Sequence, residues 1–184
     1  MTLRLGIADH LGWAVAVTAD AEHAVVDRRR IALVDEGLSE APIHYDRGVS
    51  SDAEIAALID RVRASIARCA AAAFDDLPSG IVSISLRVWP ADFPTDLAVA
   101  RQVPWEARAD AVRYRQVLAE VAGARGWAVH RYDAKTAEAQ ASARLGARAA
   151  DVLTGPRARL GPPWTQDHRV ALAATVLAAT VLAD

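Results

Sequence analysis

The stretch Leu3-Arg4-Leu5-Gly6-Ile7-Ala8-Asp9-His10-Leu11-Gly12-Trp13-Ala14-Val15-Ala16-Val17 decides the fold. Leu3 to Ala8 is an apolar run that closes on a carboxylate, Asp9. His10-Leu11-Gly12 then turns the chain directly into a second apolar run, Trp13 to Val17. Two short apolar runs joined by a glycine-containing turn read as neighbouring strands. Strand two extends from about Gly12 to Thr18, Ala19-Asp20-Ala21-Glu22 makes the next turn, and His23 to Val34 is a third strand. The chain therefore opens with a three-strand antiparallel meander. The third strand carries Arg28-Arg29-Arg30 in its middle, where the polar-to-apolar alternation is weak. An edge position explains this, because charge on an edge strand discourages sheet-to-sheet association. A phosphate-contacting stripe is the other reading.

Beyond the meander, residues 36–50 form a loop containing Gly37, Pro42 and Gly48. Ser51-Asp52-Ala53-Glu54 has the spacing of a capping box. A helix follows, with Ile55, Leu58, Ile59, Val62 and Ile66 on one stripe. Pro78-Ser79-Gly80 breaks the chain before a strand from Ile81 to Trp89, which sets Ile84, Leu86 and Val88 on one face and Ser83, Ser85 and Arg87 on the other. A proline-framed loop leads to a long helix, Glu106 to Ala124, ended by Gly126. Trp127 to Tyr132 is a fifth strand, Lys135 to Leu153 is helical, Gly155 to Pro163 is a loop, and the last helix starts near Asp167. A meander followed by alternating helices and strands implies an α/β fold with a mixed five-stranded sheet, the meander plus two parallel strands, flanked by helices.

Composition bounds the function. With 184 residues and 53% hydrophobic content, the chain makes one well-packed domain over residues 1–184. A formal net charge of −2 supplies no global basic field for unspecific nucleic-acid binding. Arginine dominates the basic residues, with Lys135 the only lysine, a bias that fits a GC-rich coding sequence. The single cysteine, Cys69, can make no internal disulfide, which fits a reducing compartment; it reads as a small buried apolar residue. No signal peptide is visible, and the apolar run Val170 to Ala183, about 14 residues, is shorter than a bilayer span. A soluble cytoplasmic protein with no membrane partner is expected. Walker and dinucleotide loops, zinc spacings and a Gly-x-Ser-x-Gly elbow are absent from the sequence.

Two aspartates stand out. Asp9 lies at the mouth of the first strand, and Asp167 begins the terminal helix in Trp164-Thr165-Gln166-Asp167-His168-Arg169-Val170-Ala171-Leu172-Ala173. They are expected at one end of the sheet, their carboxylates within about 8 Å, the span that bridging ligands or waters cover. Gly6-Ile7-Ala8-Asp9 with Gly12-Trp13-Ala14-Val15, the helix from Arg108 to Gly126 followed by Trp127 to Asp133 and Lys135-Thr136, and Asp167 to Ala173 resemble the RuvC-type Holliday-junction resolvase branch of the RNase H-like superfamily.

The resemblance implies an RNase H-like fold, Asp9 and Asp167 as catalytic residues and metal ligands, weakly held Mg2+ or Mn2+, structured DNA or RNA as partner, and a homodimer. The matching turn makes Lys135 a candidate binding residue, and the residues themselves add Arg87, on the polar face of the fourth strand, and His10 and His168, each of which follows one of the aspartates. The chain departs from the branch in three ways. Ala8 separates isoleucine from the first aspartate, the fourth strand offers Ser83, Ser85 and Arg87 where the branch has a glutamate, and Val170 replaces the second terminal acid. Two-cation hydrolysis needs more carboxylate than two aspartates provide.

Each candidate has a bland counterpart. Asp167 also suits the helix dipole. His10 also reads as a turn histidine and His168 as a first-turn histidine. The tryptophans also read as core anchors. Arg101, Arg108, Arg113, Arg115 and Arg125, interleaved with Glu106, Asp110 and Glu120, also read as a salt-bridged solvent face. Arg87, if it points inward, is placed to pair with Asp9. The expected function is a degenerate or catalytically weak nucleic-acid-related binding or scaffold module, with a metal-dependent nuclease acting on structured nucleic acid as the alternative.

Overall fold

In the computed structural model, Leu3–Asp9 (β1) and Trp13–Ala19 (β2) pair antiparallel, and Val25–Ala32 (β3) pairs antiparallel with β2. The structure describes residues 1–45 and 51–179; Gly48 of the expected loop and Val181 and Leu182 of the expected last helix lie outside them. Gly12 holds the β1–β2 turn with φ +79, and a Cβ there would lie 2.6 Å from the Glu40 carboxylate. The positive φ favours glycine, whereas the flexible Glu40 side chain can move aside.

Ile81–Arg87 (β4) joins the other side of β1 in parallel, and Ala128–Tyr132 (β5) extends the sheet beside β4. The strand order is β3-β2-β1-β4-β5. This is the expected mixed sheet of meander plus two parallel strands. β3 is shorter than expected and lies at the edge, which accounts for its arginines.

The helices are Pro42–Tyr45 (α1), Asp52–Asp75 (α2), Leu97–Ala100 (α3), Glu106–Gly123 (α4), Ala137–Leu145 (α5), Ala149–Leu153 (α6), Pro156–Leu160 (α7) and Gln166–Ala178 (α8). The Ser51 capping box starts α2 as its spacing predicts. Several expectations fail: the loop expected over 36–50 contains α1. The continuous helix 135–153 is broken at Gly146, whose φ is +55, so the chain re-enters through a 3-10 turn. Residues 155–163, expected as a loop, contain α7, started by Pro156 at its first position. Val88, assigned to the apolar face of β4, lies past the strand's end and is 51% exposed.

Two cores sandwich the sheet. Leu5, Ile7, Ile84 and Leu86 pack with Val62, Ile66 and Phe74 of α2 and Val112 and Leu118 of α4. On the other face Ala8, Val15, Val17 and Tyr132 pack with Ala141, Val152, Ala171, Leu172 and Val176. Helix α8 crosses β1 so closely that a Cβ on Gly6 would lie 1.9 Å from the Ala171 carbonyl oxygen. The apolarity of α8 is thus explained by burial inside the fold, with nine of its residues buried, and needs no second copy. No helix among the described residues is long and apolar enough to cross a membrane. Cys69, expected to be buried, is half-buried on α2, its thiol 3.5 Å from Asp35 Oδ1.

Candidate functional site

The pairing of β1 with β4 ends at Gly6 and Ser85, and beyond that pair the Tyr132 hydroxyl donates to the Ile7 carbonyl at 2.6 Å. The carboxyl ends of β1 and β4 open there. This is the point where the strand order reverses direction, the place where ligands bind in open α/β sheets.

Asp9, the last residue of β1, is buried at this mouth, its side chain only 2% exposed. Its Oδ2 accepts a 2.8 Å hydrogen bond from Arg115 Nε of α4, while Arg115 Nη1 donates to the Val88 carbonyl at 3.2 Å. Arg87 ends β4 between the two aspartates. Its Nε lies 3.7 Å from Asp9 Oδ1 and its Nη2 lies 3.7 Å from Asp167 Oδ1. Both distances suit ion pairs and are too long for hydrogen bonds.

Asp167 stands in the first turn of α8, and its Oδ2 lies 3.1 Å from His10 Nε2. The His10 ring stacks on Trp13 with centroids 4.1 Å apart, and the Arg30 guanidinium packs over the same indole at 4.3 Å. A single row therefore runs across this end of the sheet: Arg30, Trp13, His10, Asp167, Arg87, Asp9, Arg115.

Four of the sequence candidates, Asp9, Asp167, Arg87 and His10, meet in this row. His168 lies beside it with a structural task. The Thr165 amide donates to His168 Nδ1 at 3.2 Å and the Thr165 hydroxyl lies 2.9 Å from it, forming the capping box of α8. An Nδ1 that accepts leaves the proton of the neutral ring on Nε2. Burial, then the nearby Arg28, lowers the His168 pKa against the smaller pull of Asp167, so the neutral ring is favoured. Lys135 is exposed on the β5–α5 turn, where its backbone amide donates to Asp133 Oδ1; no described contact joins its side chain to the row.

The residues fit a pair of divalent cations poorly. Two carboxylates are matched by two guanidinium groups, so the attraction on a cation at this corner cancels to first order. At roughly 4 Å, each unit charge weighs about 4 kcal/mol per unit of cation charge at an effective dielectric of ~20. Among the described residues no three His, Cys, Asp or Glu side chains converge to hold a metal. The positions from which further acids would come are turned to packing: Ser85 Oγ donates to the Ala174 carbonyl at 3.2 Å, and Val170 is 4% exposed in the core.

The expected phosphate-contacting stripe on β3 reduces to one residue. Arg28 donates through Nη1 to the carbonyls of Gly161 and Pro163 and through Nη2 to that of Leu160, with Trp164 beside it at 5.9 Å. It holds the segment leading into α8 and so sets the position of Asp167. Arg29 is paired with Asp27 at 2.8 Å. Arg30 is exposed, and its described interaction is the one with Trp13.

No protein-family model matches the chain, and no curated protein matches it. Among solved structures the chain is similar to T. thermophilus RuvC in complex with a Holliday junction substrate, at 15% identity and a TM-score of 0.50, covering 100% of this chain and 96% of that one. The fold is RNase H-like.

Within that RNase H-like frame, Arg115 is the main residue that sequence reasoning misassigned, as part of a basic solvent face on α4. A signal was present, since Arg115 stands three positions from Val112 and from Leu118, both buried, which places it at the inward edge of the helix. Trp13 is half-buried in the row, whereas Trp89 and Trp164 are core anchors, the latter donating Nε1–H to the Leu153 carbonyl at 2.9 Å. His10 is no idle turn histidine, because the bend after Asp9 brings it to Asp167.

Proposed function

We propose that residues 1–184 form one RNase H-like module that binds structured DNA or RNA without a resident metal pair and without cutting it. The observation that carries this reading is the closure of Asp9 and Asp167 by Arg115 and Arg87. An acid corner waiting for cations has become charge-balanced, and Arg30 adds a further positive charge at its rim. Likeness of fold to a protein solved on a Holliday junction supports the choice of a branched substrate, and the lone Cys69 suits a cytoplasmic setting. A homodimer belongs to the same proposal, and light scattering tests it.

A second reading, the metal-dependent nuclease, draws on one feature. Arg87 touches neither aspartate by a hydrogen bond, so it is the loosest member of the cluster, and its withdrawal would leave Asp9 Oδ1 and Asp167 Oδ1, the oxygens not engaged by Arg115 and His10, for a weakly held Mg2+ or Mn2+. The experiment is fluorescence anisotropy with a four-way DNA junction, a linear duplex and a single strand, in EDTA and in magnesium or manganese, with strand scission followed on denaturing gels. Junction binding that persists in EDTA, with intact strands throughout, is expected. Metal-dependent incision of the junction that Asp9→Asn abolishes establishes the nuclease instead, and failure to bind any of the three substrates removes the nucleic-acid reading.

A further inference from the structure

Beside the charged row lies a cleft of about 480 Å³, walled by Trp13, Val15 and Pro163 and edged by Arg30, Thr165, Asp167 and His168. Its size falls in the range of roughly 300–1,000 Å³ typical of small-molecule sites. One wall is β2 and β3, where Val15 pairs with Arg30, and the other is the segment between α7 and α8. That second wall is held in place twice. Arg28 grips its carbonyls, and the Thr165–His168 capping box fixes the turn into α8.

The chemistry of the cleft is specific. Its apolar surface suits a flat ring. Its rim includes His168, whose Nδ1 accepts from the Thr165 amide and so leaves a proton on Nε2, together with the Thr165 hydroxyl and the Asp167 carboxylate, a mixed set of donor and acceptor groups of the kind that matches the edge of a nucleobase. Arg30 makes no hydrogen bond or ion pair among the described residues and is stacked on an indole, which presents its donors in a fixed fork suited to phosphate. Arg28, Arg29 and Arg30, against Asp167 and the Asp27 that pairs with Arg29, leave the cleft with one net positive charge.

We infer that this cleft binds a nucleoside monophosphate unit, with the phosphate on Arg30 and the base against Val15, Pro163 and the edge of Trp13, whose ring packs with His10 and Arg30. The unit is either a free nucleotide or an unpaired nucleotide of a strand; in the second case the inference rests on the nucleic-acid reading above. Asp167 then serves both sites, its Oδ2 on His10 and its carboxylate edge at the cleft.

Isothermal titration of the full chain with AMP and dTMP, with adenosine and inorganic phosphate as controls, tests it. A dissociation constant of about 1 mM or tighter is expected for a nucleotide, with at least tenfold weaker binding of the nucleoside and of phosphate alone. Arg30→Ala should weaken the nucleotide at least tenfold and leave the nucleoside unchanged; Arg30 is an exposed residue, so the variant folds. The same titration uses a DNA hairpin with a single-nucleotide bulge and its bulge-free counterpart. Preference for the bulged hairpin that Arg30→Ala abolishes assigns an unpaired strand nucleotide, and nucleotide binding without that preference assigns the free ligand. If neither nucleotide nor bulge is favoured, if phosphate binds as tightly as AMP, or if Arg30→Ala changes nothing, the inference is overturned. The junction-binding experiment uses other probes and stands or falls separately.

Discussion

Replacing Asp9 by asparagine separates an arginine-closed corner from a metal site by the sign of its effect on stability. In a site built to hold cations, crowded carboxylates repel one another when the metal is removed, so neutralising one stabilises the metal-free protein. Here the Asp9 carboxylate, 2% exposed, accepts from Arg115 Nε at 2.8 Å and faces Arg87 Nε at 3.7 Å. Breaking a buried ion pair by removing one partner costs about 3–5 kcal/mol, because the other charge is left uncompensated. Arg115 keeps the Val88 carbonyl as an acceptor and is itself 15% exposed, which puts the cost at the lower end, about 3 kcal/mol. For a chain of this length each kcal/mol moves Tm by roughly 2–4 °C, so Asp9→Asn should melt about 6–12 °C below wild type.

Differential scanning calorimetry in EDTA measures this directly, and a repeat in ~10 mM manganese adds the linkage control, since a site with a Kd of about 1 mM would gain about 1.4 kcal/mol there. No manganese shift is expected in either protein. A cycle with Arg115→Gln should return a coupling energy of about 1–3 kcal/mol between the two positions. An Asp9→Asn protein that melts at or above wild type in EDTA, with a wild-type manganese shift that the variant loses, would refute the reasoning.

The seat of α8 on β1 predicts that Gly6→Ala costs more than the roughly 1–3 kcal/mol of ordinary overpacking, because the atom met at 1.9 Å is backbone; a urea midpoint equal to wild type would disprove the seat. Replacing Arg28 by lysine keeps the charge and loses the fork that spans the carbonyls of 160, 161 and 163, at a cost of about 1–3 kcal/mol. Amide exchange of Gly161, Trp164 and Thr165 should accelerate, and unchanged exchange removes the clasp. His23, His130 and His168 all have pKa values lowered chiefly by burial, so the folded chain resists protonating them more than the unfolded chain does. Their contribution to stability is present above the ordinary histidine value of 6.5 and is lost as pH falls through the lowered folded values. Tm should therefore decline below pH ~6.5, and His168→Gln, which preserves the capping box, should make the decline shallower. An identical acid limb in wild type and variant counts against it.

What the sequence made legible is what local physics encodes. The β1–β2 hairpin follows from two apolar runs and a glycine that must take positive φ, and the start of α2 follows from the Ser51–Glu54 capping box, whose two hydrogen bonds lie within four residues. Convergence of Asp9 and Asp167 on one end of the sheet was legible from their places at a strand mouth and a helix start together with the resemblance, although no local rule relates residues that far apart. Less legible were the features set by distant partners. Gly146 interrupts a stretch whose composition is helical throughout, and Arg115 differs from Arg108 only in which side of α4 it occupies. The pairing of Arg87 with both aspartates required knowing that β4 stops at residue 87, one residue short of the exposed Val88.

The charges at this corner also need a reason to be there. Buried ion pairs replaced by apolar residues of similar volume often leave stability unchanged or improved, so a stable RNase H-like sheet does not require Asp9, Arg87, Arg115 and Asp167 for its own sake. The inner pair, Asp9 with Arg115, is nearly out of solvent, whereas Arg87, Asp167 and His10 are progressively more exposed, at 24%, 28% and 36%. The gradient leads outward to Trp13 and Arg30, at the rim of the cleft. A metal corner presents net negative charge to a polyanion until its cations arrive. This corner is already neutral inside and positive at its rim. Binding without cleavage, as proposed, rests on that exchange, because Arg115 and Arg87 stand against the carboxylates that a water-activating cation would need.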